Sequence, residues 1–271
     1  MLGRALQRQL AEHTLAIADL PETDVTNLHS IHTALAEFRP DAVIHCAAMT
    51  AVDRCESQAD LAYRINAIGS ANTAISCHRH HARLIAVSTD YVFSGSLERP
   101  YHEWDAPGPR TVYGASKLAG EQAIRSHCPD HLITRVAWLY GPGGPSFVHS
   151  MLELGAQAGE PLKVVNDQIG NPTSTAAVAE RLKDLLQAPW AGTFHLTCEG
   201  EATWYQFAQA IFAARGLERP LLPCTSKEFP RPAPRPANSR LEKRALRLCG
   251  LAPMPPWQES LNRFLRENPQ G

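Results

Sequence analysis

Tyr113 and Lys117 stand four residues apart in the stretch Tyr113-Gly114-Ala115-Ser116-Lys117. Residues 112–124 show helical periodicity, so both side chains project from one face of the predicted helix. A phenol has an ordinary pKa near ~10, but an ammonium group within about 4–6 Å favours the phenolate and lowers that pKa. Tyr113 could then give or take a proton in carbonyl or alcohol chemistry. An exposed tyrosine and lysine on a surface helix would show the same spacing.

Two hydroxyl residues, Ser88 and Thr89, lie upstream of this pair. They follow the apolar run 84–87, which is typical of a buried strand. In open α/β sheets, ligands bind beyond the carboxyl ends of the strands, so these hydroxyls would lie where a substrate lies. A hydroxyl there can donate to a substrate carbonyl oxygen. The alternative is that both residues only end the strand and cap the turn.

The rest of the chain supplies elements that could position these groups. Apolar runs predict strands at residues 15–19, 42–46, 131–141 and 192–196. Helical periodicity and capping residues predict helices at residues 1–10, 27–38, 61–78, 112–124 and 257–264, with another after Thr203. Thr26 is the expected cap of the second helix. Residues 220–236 are rich in proline and should form an extended loop.

The two motifs Ser-Thr-Asp-Tyr-Val-Phe (88–93) and Tyr-Gly-x-Ser-Lys-Leu-x-Gly-Glu (113–121) resemble the extended short-chain dehydrogenase/reductases, in particular the dTDP-4-dehydrorhamnose reductase family. The resemblance runs through almost the whole chain. It implies an α/β fold, a Rossmann-type doubly wound parallel sheet with a smaller C-terminal substrate domain. Residues 1–141 would form the NAD(P)-binding domain. Residues 142–271 would mainly form the sugar-nucleotide domain, with some segments returning to the Rossmann core.

The resemblance also implies an activity and residue roles. The expected reaction is NADPH-dependent reduction of the C4 ketone of dTDP-4-dehydro-L-rhamnose to dTDP-L-rhamnose, with NADH as a possible substitute. The implied catalytic residues are Thr89, Tyr113 and Lys117. The implied cofactor-binding residues are Gly3, Asp24, Val25, Ala47, Ala48, Thr50, Tyr113 and Lys117. The implied substrate-binding residues are Thr50, Thr89, Tyr91, Tyr113 and Trp138. Where relatives have Asn-Phe after the fourth strand, this chain has Ser146-Phe147.

The beginning of the chain departs from the family pattern Gly-x-x-Gly-x-x-Gly, of which only the last glycine, Gly3, is present. We therefore expect the first strand and most of the glycine-rich turn, about ten residues, to be missing. A start codon assigned too late explains this better than a damaged gene, because the downstream motifs are intact. Asp19, at the end of the predicted second strand, could bond a ribose 2′-hydroxyl, but it could equally be a plain loop residue.

Composition limits the classes of function. The chain of 271 residues is 44% hydrophobic and 20% charged with a net charge of −1, which suits a folded protein and argues against nucleic-acid or membrane-surface partners. Seven scattered cysteines without a Cys-x-x-Cys pair argue against a disulfide framework and indicate a cytoplasmic protein. The cluster of residues 77–81 lacks partners at ligand spacing, so no metal site is expected. A homodimer is one possible assembly.

Two other functions remain open. A nucleotide-sugar epimerase or dehydratase would share the tyrosine and lysine pair but would not consume NADPH. A protein similar to the regulatory subunit of methionine adenosyltransferase would bind a partner enzyme without turning over a sugar. Asn66-Ala67, inside a predicted helix, matches a family Asn-Ala, and a buried hydrogen-bonding role for Asn66 would explain an asparagine there.

Overall fold

Four parallel strands form the central sheet of the computed structural model, which describes residues 1–268. The strands are β1 (Ala42–His45), β2 (Arg83–Thr89), β3 (His131–Val136), β4 (Leu139–Tyr140), β5 (Leu162–Val165), β6 (Ile169–Gly170), β7 (Thr173–Ser174), β8 (Gly192–His195), β9 (Ala202–Thr203) and β10 (Leu221–Cys224). The sheet order is β1-β2-β3-β8. The short strands pair separately, with β5 beside β10, β4 beside β7, and β6 antiparallel to β9. The α/β architecture expected from the sequence is confirmed.

Helices connect and flank these strands. They are α1 (Leu2–Gln9), α2 (Leu28–Phe38), α3 (Val52–Ser57), α4 (Ala59–Tyr63), α5 (Gly69–Arg79), α6 (Val112–His127), α7 (Phe147–Gly155), α8 (Thr175–Leu186), α9 (Trp204–Arg215), α10 (Arg244–Leu248) and α11 (Trp257–Glu267). A π-helical turn, Arg64–Ile68, joins α4 to α5, and a 3-10 turn, Asp90–Val92, follows β2. No helix among residues 1–268 combines the length and the apolar character needed to cross a membrane.

Helix α1 forms as its leucine spacing predicts. Leu2, Leu6 and Leu10 lie on one stripe, all three are buried, and α1 packs against α8. The helix is therefore held by its apolar face.

The predicted strand at residues 15–19 is wrong. This segment has no regular structure, and Ile17 is 63% exposed. Among residues 1–268, β1 pairs only with β2, and residues 15–19 do not pair with its open edge, so the segment joins no ladder. Its strand-like composition cannot satisfy its backbone hydrogen bonds without one.

The helix caps agree with the sequence analysis except at α2. The cap there is Asn27, whose side chain accepts from the backbone N–H groups of His29 and Ser30, and Thr26 is therefore not the cap. Thr203 forms a capping box with Gln206, as its position before α9 predicts.

The largest hydrophobic cluster joins the two halves of the chain. It contains side chains of α1, β2, β3, α8, α9 and α11. Strand β8 lies beside β3 in the central sheet, so segments beyond residue 141 complete that sheet.

The proline-rich segment turns at residues 226–228 after β10 and continues as an irregular loop, and no helix follows β10 until α10 begins at Arg244. Its Arg235 makes two hydrogen bonds of 2.9 Å to the carboxylate of Asp53 in α3. Asn238 donates to the carbonyl oxygens of Leu97 and Arg99. Residues 235–238 are thus fastened to the first half of the chain at two places.

A buried ion pair lies between α6 and the central sheet. Arg135 in β3 donates to both carboxylate oxygens of Glu121, at 2.9 and 2.7 Å, and both side chains are almost fully buried. Burial raises the pKa of Glu121, but the hydrogen bond and charge of Arg135 outweigh it, so the net shift is downward. The pair is therefore ionised in the interior.

Glu121→Ala should lower the free energy of unfolding by about 3–5 kcal/mol, because it leaves the Arg135 guanidinium buried without its counter-ion. Urea unfolding measures the loss. Glu267→Ala is the matched control, since it removes an exposed partner of Arg263 and should cost no more than about 0.5 kcal/mol. Equal losses in the two variants would show that the buried pair has no special weight.

Candidate active site

Thr89 is the last residue of β2, the strand that pairs with both β1 and β3. Its Oγ1 accepts a hydrogen bond from the Tyr91 N–H at 3.2 Å and donates to Asp90 Oδ1 at 3.0 Å. Thr89 and Asp90 are both buried. The hydroxyl is therefore fixed by the turn that follows the strand, at the carboxyl edge of the sheet.

Tyr113 lies in the first turn of α6, which Thr111 caps by accepting from the Gly114 N–H at 3.0 Å. A Cβ on Gly114 would lie 2.1 Å from the carbonyl oxygen of Tyr91, so only glycine lets α6 approach the 90–92 turn this closely. The rings of Tyr91 and Tyr113 meet edge to face, with centroids 5.4 Å apart. The motif glycine thus brings Tyr113 to the end of β2.

The pKa of Tyr113 is raised, in contrast to the expectation that Lys117 would lower it. Burial is the main cause, and the charge of Asp90 adds to it, while the Thr89 hydroxyl offsets part of the rise. Asp90 itself has its pKa raised by burial to about 6, opposed by the hydroxyls of Ser239 and Thr89. Tyr113 is therefore a neutral phenol near pH 7, the form that can donate a proton.

Lys117 is buried one turn along α6 from Tyr113. Its Nζ donates to the carbonyl oxygen of Val87 at 2.7 Å. Burial lowers the pKa of Lys117 to about 8, and the negative charge of Glu121 opposes that shift. The Lys117 amine thus bonds to the Val87 carbonyl oxygen. The direct action of this lysine on the Tyr113 phenol, which we expected from the sequence, is not seen in these contacts.

The loop after β1 leaves Ala47 and Thr50 exposed, with Ala48 partly so. Burial raises the pKa of the adjoining Cys46 thiol to about 11, and the charges of Lys117 and of the Met1 amino group oppose that rise. The start of α1 therefore lies near the end of β1.

These surroundings fit a dinucleotide. A Cβ placed on Gly3 would meet no atom within 4 Å, so the backbone at the start of α1 borders open space. Small residues at Ala47 and Ala48 allow close approach to the loop backbone, and the helix N-terminus favours an anionic group. Gly3, Ala47 and Ala48 could border such a ligand, with Thr50 and Lys117 further along.

Asp24 and Val25 lie in the turn before α2. Asp24 accepts from the Thr26 N–H at 2.8 Å, and this bond lowers its pKa. Val25 accepts a hydrogen bond from Asn72 Nδ2 at 3.0 Å through its carbonyl oxygen and packs against Gly69, where a Cβ would lie 2.9 Å from its side chain. Helix α5 therefore positions this turn.

Comparison with known proteins gives the family. The protein-family model described as "RmlD substrate binding domain" matches residues 1–269. The dTDP-4-dehydrorhamnose reductase of Streptomyces griseus is 43% identical over 96% of this chain and 88% of its own length. The dTDP-4-dehydrorhamnose reductase of Escherichia coli K12 is 38% identical over 98% of this chain and 94% of its own length.

A solved structure supports the same family assignment. The dTDP-4-dehydrorhamnose reductase of Bacillus anthracis, crystallised in complex with NADP, is 40% identical and superposes with a TM-score of 0.96, covering 98% of this chain and 95% of that chain. The chain belongs to the dTDP-4-dehydrorhamnose reductase family. The resemblance stated from its motifs is confirmed, as is the Rossmann-type fold.

Trp138, which family resemblance places against the sugar, stacks on Trp204, with ring centroids 3.5 Å apart and an interplanar angle of 7°. Its φ of 48° lies in the left-handed region, which is unusual for a bulky residue. A Cβ on Gly170 would lie 2.4 Å from the Trp138 ring, and Trp204 Nε1 donates to Gln168 Oε1 at 3.1 Å. Trp138 is thus held in an aromatic cluster.

Sequence reasoning did not single out Trp204 or Asp90 for the site. Asp90 could have been recognised, because an acidic residue that directly follows two hydroxyl residues at the end of a buried strand is poorly exposed to water. Trp204 carried none, because its stacking depends on the chain path between β4 and α9. Ser146, which replaces the family asparagine, caps α7 by accepting from the His149 N–H.

Lys117→Met should raise the free energy of unfolding at pH 7 by about 1–3 kcal/mol. Below pH 8, the lysine is charged in both states, so folding bears the full cost of burying the charge. Between pH 8 and the ordinary value of 10.5, the folded amine loses its proton first, so the stability of the unmodified protein rises and the advantage of methionine shrinks. Loss of the bond to Val87 reduces the gain.

Urea unfolding of both proteins at neutral and alkaline pH measures this difference. Lys163→Met, at an exposed lysine, serves as the control and should change the free energy of unfolding by no more than about 0.5 kcal/mol. A methionine variant at position 117 that is less stable than the parent at pH 7 would contradict the assigned cost.

Proposed function

We propose that this protein reduces the C4 ketone of dTDP-4-dehydro-L-rhamnose to the alcohol of dTDP-L-rhamnose, with NADPH as the reductant. The relatives named above, 38–43% identical over nearly the whole chain, are dTDP-4-dehydrorhamnose reductases, and one was crystallised with NADP. The observation that carries the proposal is the placement of the Tyr113 phenol, buried beside Thr89 at the carboxyl end of β2. Reduction of a ketone needs such a proton donor.

NADPH, when bound, supplies the hydride that the carbonyl carbon accepts. Tyr113 donates its phenolic proton to the oxygen that becomes the alcohol. Because burial and the charge of Asp90 keep the pKa of Tyr113 high, the phenol holds its proton until a more basic alkoxide develops. The same burial excludes water, which would otherwise compete as a proton donor.

Thr89 provides the second hydroxyl. Its hydrogen points to Asp90 Oδ1, and rotation about the Cβ–Oγ1 bond turns it towards a ketone oxygen. The bond from the Tyr91 N–H keeps the oxygen atom in place during this rotation. Thr89 can thus polarise the ketone while Tyr113 delivers the proton.

Lys117 would hold the nicotinamide ribose, and its pKa of about 8 keeps most of its amine charged at pH 7. The remaining proposed cofactor contacts are Gly3, Asp24, Val25, Ala47, Ala48, Thr50 and Tyr113. The proposed sugar-nucleotide contacts are Thr50, Thr89, Tyr91, Tyr113 and Trp138. We further propose that residues 142–271 mainly supply the sugar-nucleotide side.

The direct test follows NADPH and sugar together. Purified protein given dTDP-4-dehydro-L-rhamnose should oxidise one NADPH for each sugar reduced, measured by NADPH absorbance and by chromatography of the sugar nucleotide. Conversion of the sugar without net loss of NADPH would instead show an epimerase. Absence of both, together with copurification of an adenosyltransferase, would favour the partner-binding alternative.

Tyr113→Phe should reduce kcat by about 10²–10⁴-fold, because it removes the proton donor while keeping the ring. NADPH affinity, measured by fluorescence titration, should stay close to that of the parent. Tyr63→Phe, at an exposed tyrosine on α4, is the matched control and should retain full kcat. Near-complete activity of Tyr113→Phe would rule out this residue as the acid.

A further inference from the structure

Residues 233–239 form a strap that leads from α3 to the end of β2. At its first end, the Ala233 N–H donates to Asp53 Oδ1 at 3.0 Å, and two nitrogens of Arg235 donate to the two oxygens of the same carboxylate at 2.9 Å each. Arg235 also donates to the Ala233 carbonyl oxygen at 2.9 Å. One carboxylate therefore accepts three hydrogen bonds and fixes both the backbone and a side chain at this end of the strap.

The other end of the strap lies against the turn that follows β2. A Cβ on Gly95 would lie 2.4 Å from the Pro236 side chain, and the Asn238 N–H donates to the Gly95 carbonyl oxygen at 3.1 Å. Burial raises the pKa of Asp90, and the Ser239 hydroxyl is close enough to oppose that rise. The strap thus ends beside the carboxylate that accepts from the proposed catalytic threonine.

Between these ends the strap passes Tyr91. Burial raises the pKa of Tyr91, the charge of Asp90 adds to the rise, and the charge of Arg235 opposes it. The Tyr91 ring also meets the ring of Tyr113 edge to face. The Arg235 guanidinium therefore lies near the tyrosine that contacts the proposed proton donor, and the strap forms part of the wall on that side of the site.

The strap is also bonded to β6, in the second half of the chain. The Ile169 N–H donates to the Ala237 carbonyl oxygen at 2.9 Å, and the Ser239 N–H donates to the Ile169 carbonyl oxygen at 2.8 Å. The next residue of β6, Gly170, packs against the ring of Trp138. The strap therefore connects α3 to the aromatic cluster around Trp138.

The contact at α3 is well formed but open to water. The Arg235 side chain is 23% exposed and the Asp53 side chain is 33% exposed. The hydrogen bond from Arg235 lowers the pKa of Asp53, so the pair is ionised at neutral pH. Water screens such pairs and competes for their hydrogen bonds, which keeps their net contribution to stability small. This end of the strap can therefore open and close without unfolding the rest of the chain.

We propose that Asp53 is a positioning residue, which holds the strap beside Tyr91 and so keeps the sugar-nucleotide side of the site closed around its ligand. The inference rests on the proposed function, because it takes the wall formed by Tyr91 and Trp138 to be the sugar side. Dinucleotide affinity should not depend on the strap. The hydrogen bonds given above run to α3, β6 and the turn after β2, whereas the proposed dinucleotide contacts begin at α1 and the turn before α2.

The test compares Asp53→Ala, Arg235→Ala and the double variant with the parent protein. Glu180→Ala is the matched control, because it breaks a part-exposed ion pair with Arg263 that joins α8 to α11. Steady-state kinetics give kcat and the KM for the keto-sugar. Calorimetric titration gives the Kd for NADP⁺ and the Kd for dTDP-L-rhamnose.

Each single variant should raise the KM for the keto-sugar and the Kd for dTDP-L-rhamnose about tenfold, the scale of one lost hydrogen-bonded charge pair. Both kcat and the Kd for NADP⁺ should change by less than about twofold, because the strap acts on sugar binding alone. The double variant should bind no more weakly than either single variant, since all three lose the same contact. Glu180→Ala should leave all four constants unchanged.

Hydrogen exchange gives a readout that needs no turnover. Every second residue from 230 to 236 is proline and carries no N–H, so this stretch has three amides. They belong to Arg231, Ala233 and Arg235. The Ala233 amide, which donates to Asp53, should exchange slowly in the parent, more slowly with dTDP-L-rhamnose bound, and fast in Asp53→Ala. NADP⁺ alone should leave its exchange unchanged.

An unchanged KM in both single variants, or Ala233 exchange in Asp53→Ala equal to that of the parent, overturns the inference. A lower KM in Asp53→Ala also overturns it, since the released Arg235 would then bind the sugar nucleotide itself. Should Asp53→Ala not fold, Arg235→Ala decides by the same measurements. A parent protein that binds dTDP-L-rhamnose but leaves the keto-sugar unreduced would refute the proposed function, while the affinity comparison still decides the role of Asp53.

Discussion

The site depends on how closely the backbone of α6 can approach its neighbours. At Gly114 the helix meets the carbonyl oxygen of Tyr91, and at Gly120 it meets that of Asn66, with no room at either position for a Cβ. The first contact places Tyr113 beside the end of β2. The second seats α6 on the π-turn. A helix held at two such points, six residues apart, has its rotation and its position along its axis fixed. Ser116 and Lys117 lie between the two points, and Tyr113 comes directly before the first.

Burial then decides the chemistry of the groups that this packing brings together. Desolvation raises the pKa values of Tyr113 and Asp90 and lowers that of Lys117, so each group shifts towards its neutral form. Glu121 opposes the shift at Lys117, and Arg135 in turn keeps Glu121 ionised. The Glu121–Arg135 ion pair therefore helps to keep Lys117 positively charged. A phenol that stays protonated suits reduction better than the reverse oxidation, which needs a base.

Local sequence signals predicted much of this. The leucine stripe of α1, the apolar runs of β1, β2 and β3, and Thr203 before α9 each report on short-range physics, and the structure confirms them. Residues 15–19 failed because a strand also needs a neighbour, which no local pattern records. Asn27 displaced Thr26 as the cap because both residue types can cap and the choice depends on where the preceding turn ends.

Within the site, the motifs located Thr89, Tyr113 and Lys117, but spacing alone could not show their electrostatics. Four residues along a helix bring a lysine near a tyrosine, yet the amine turned to the carbonyl oxygen of Val87, a choice that depends on the strand beneath. The stack of Trp138 on Trp204 joins residues 66 positions apart and rests on tertiary structure. Asn66 could be recognised as unusual from its place within a helix, but its partners could not be named.

The ion pair between Asp53 and Arg235 has a consequence for how the protein is made. These residues are separated by most of the chain, and β8, which completes the central sheet beside β3, also comes late. A nascent polypeptide emerging from the ribosome can form α1 and β1 to β3 early, but the contact between the proline-rich segment and α3 must wait for the final quarter of translation. Leu132 and Val136 of β3 share a hydrophobic cluster with side chains of α8, α9 and α11, so this part of the strand lacks its cover until those helices are made. The interval between synthesis of α6 and release of the carboxyl terminus is therefore when the chain most needs a chaperone.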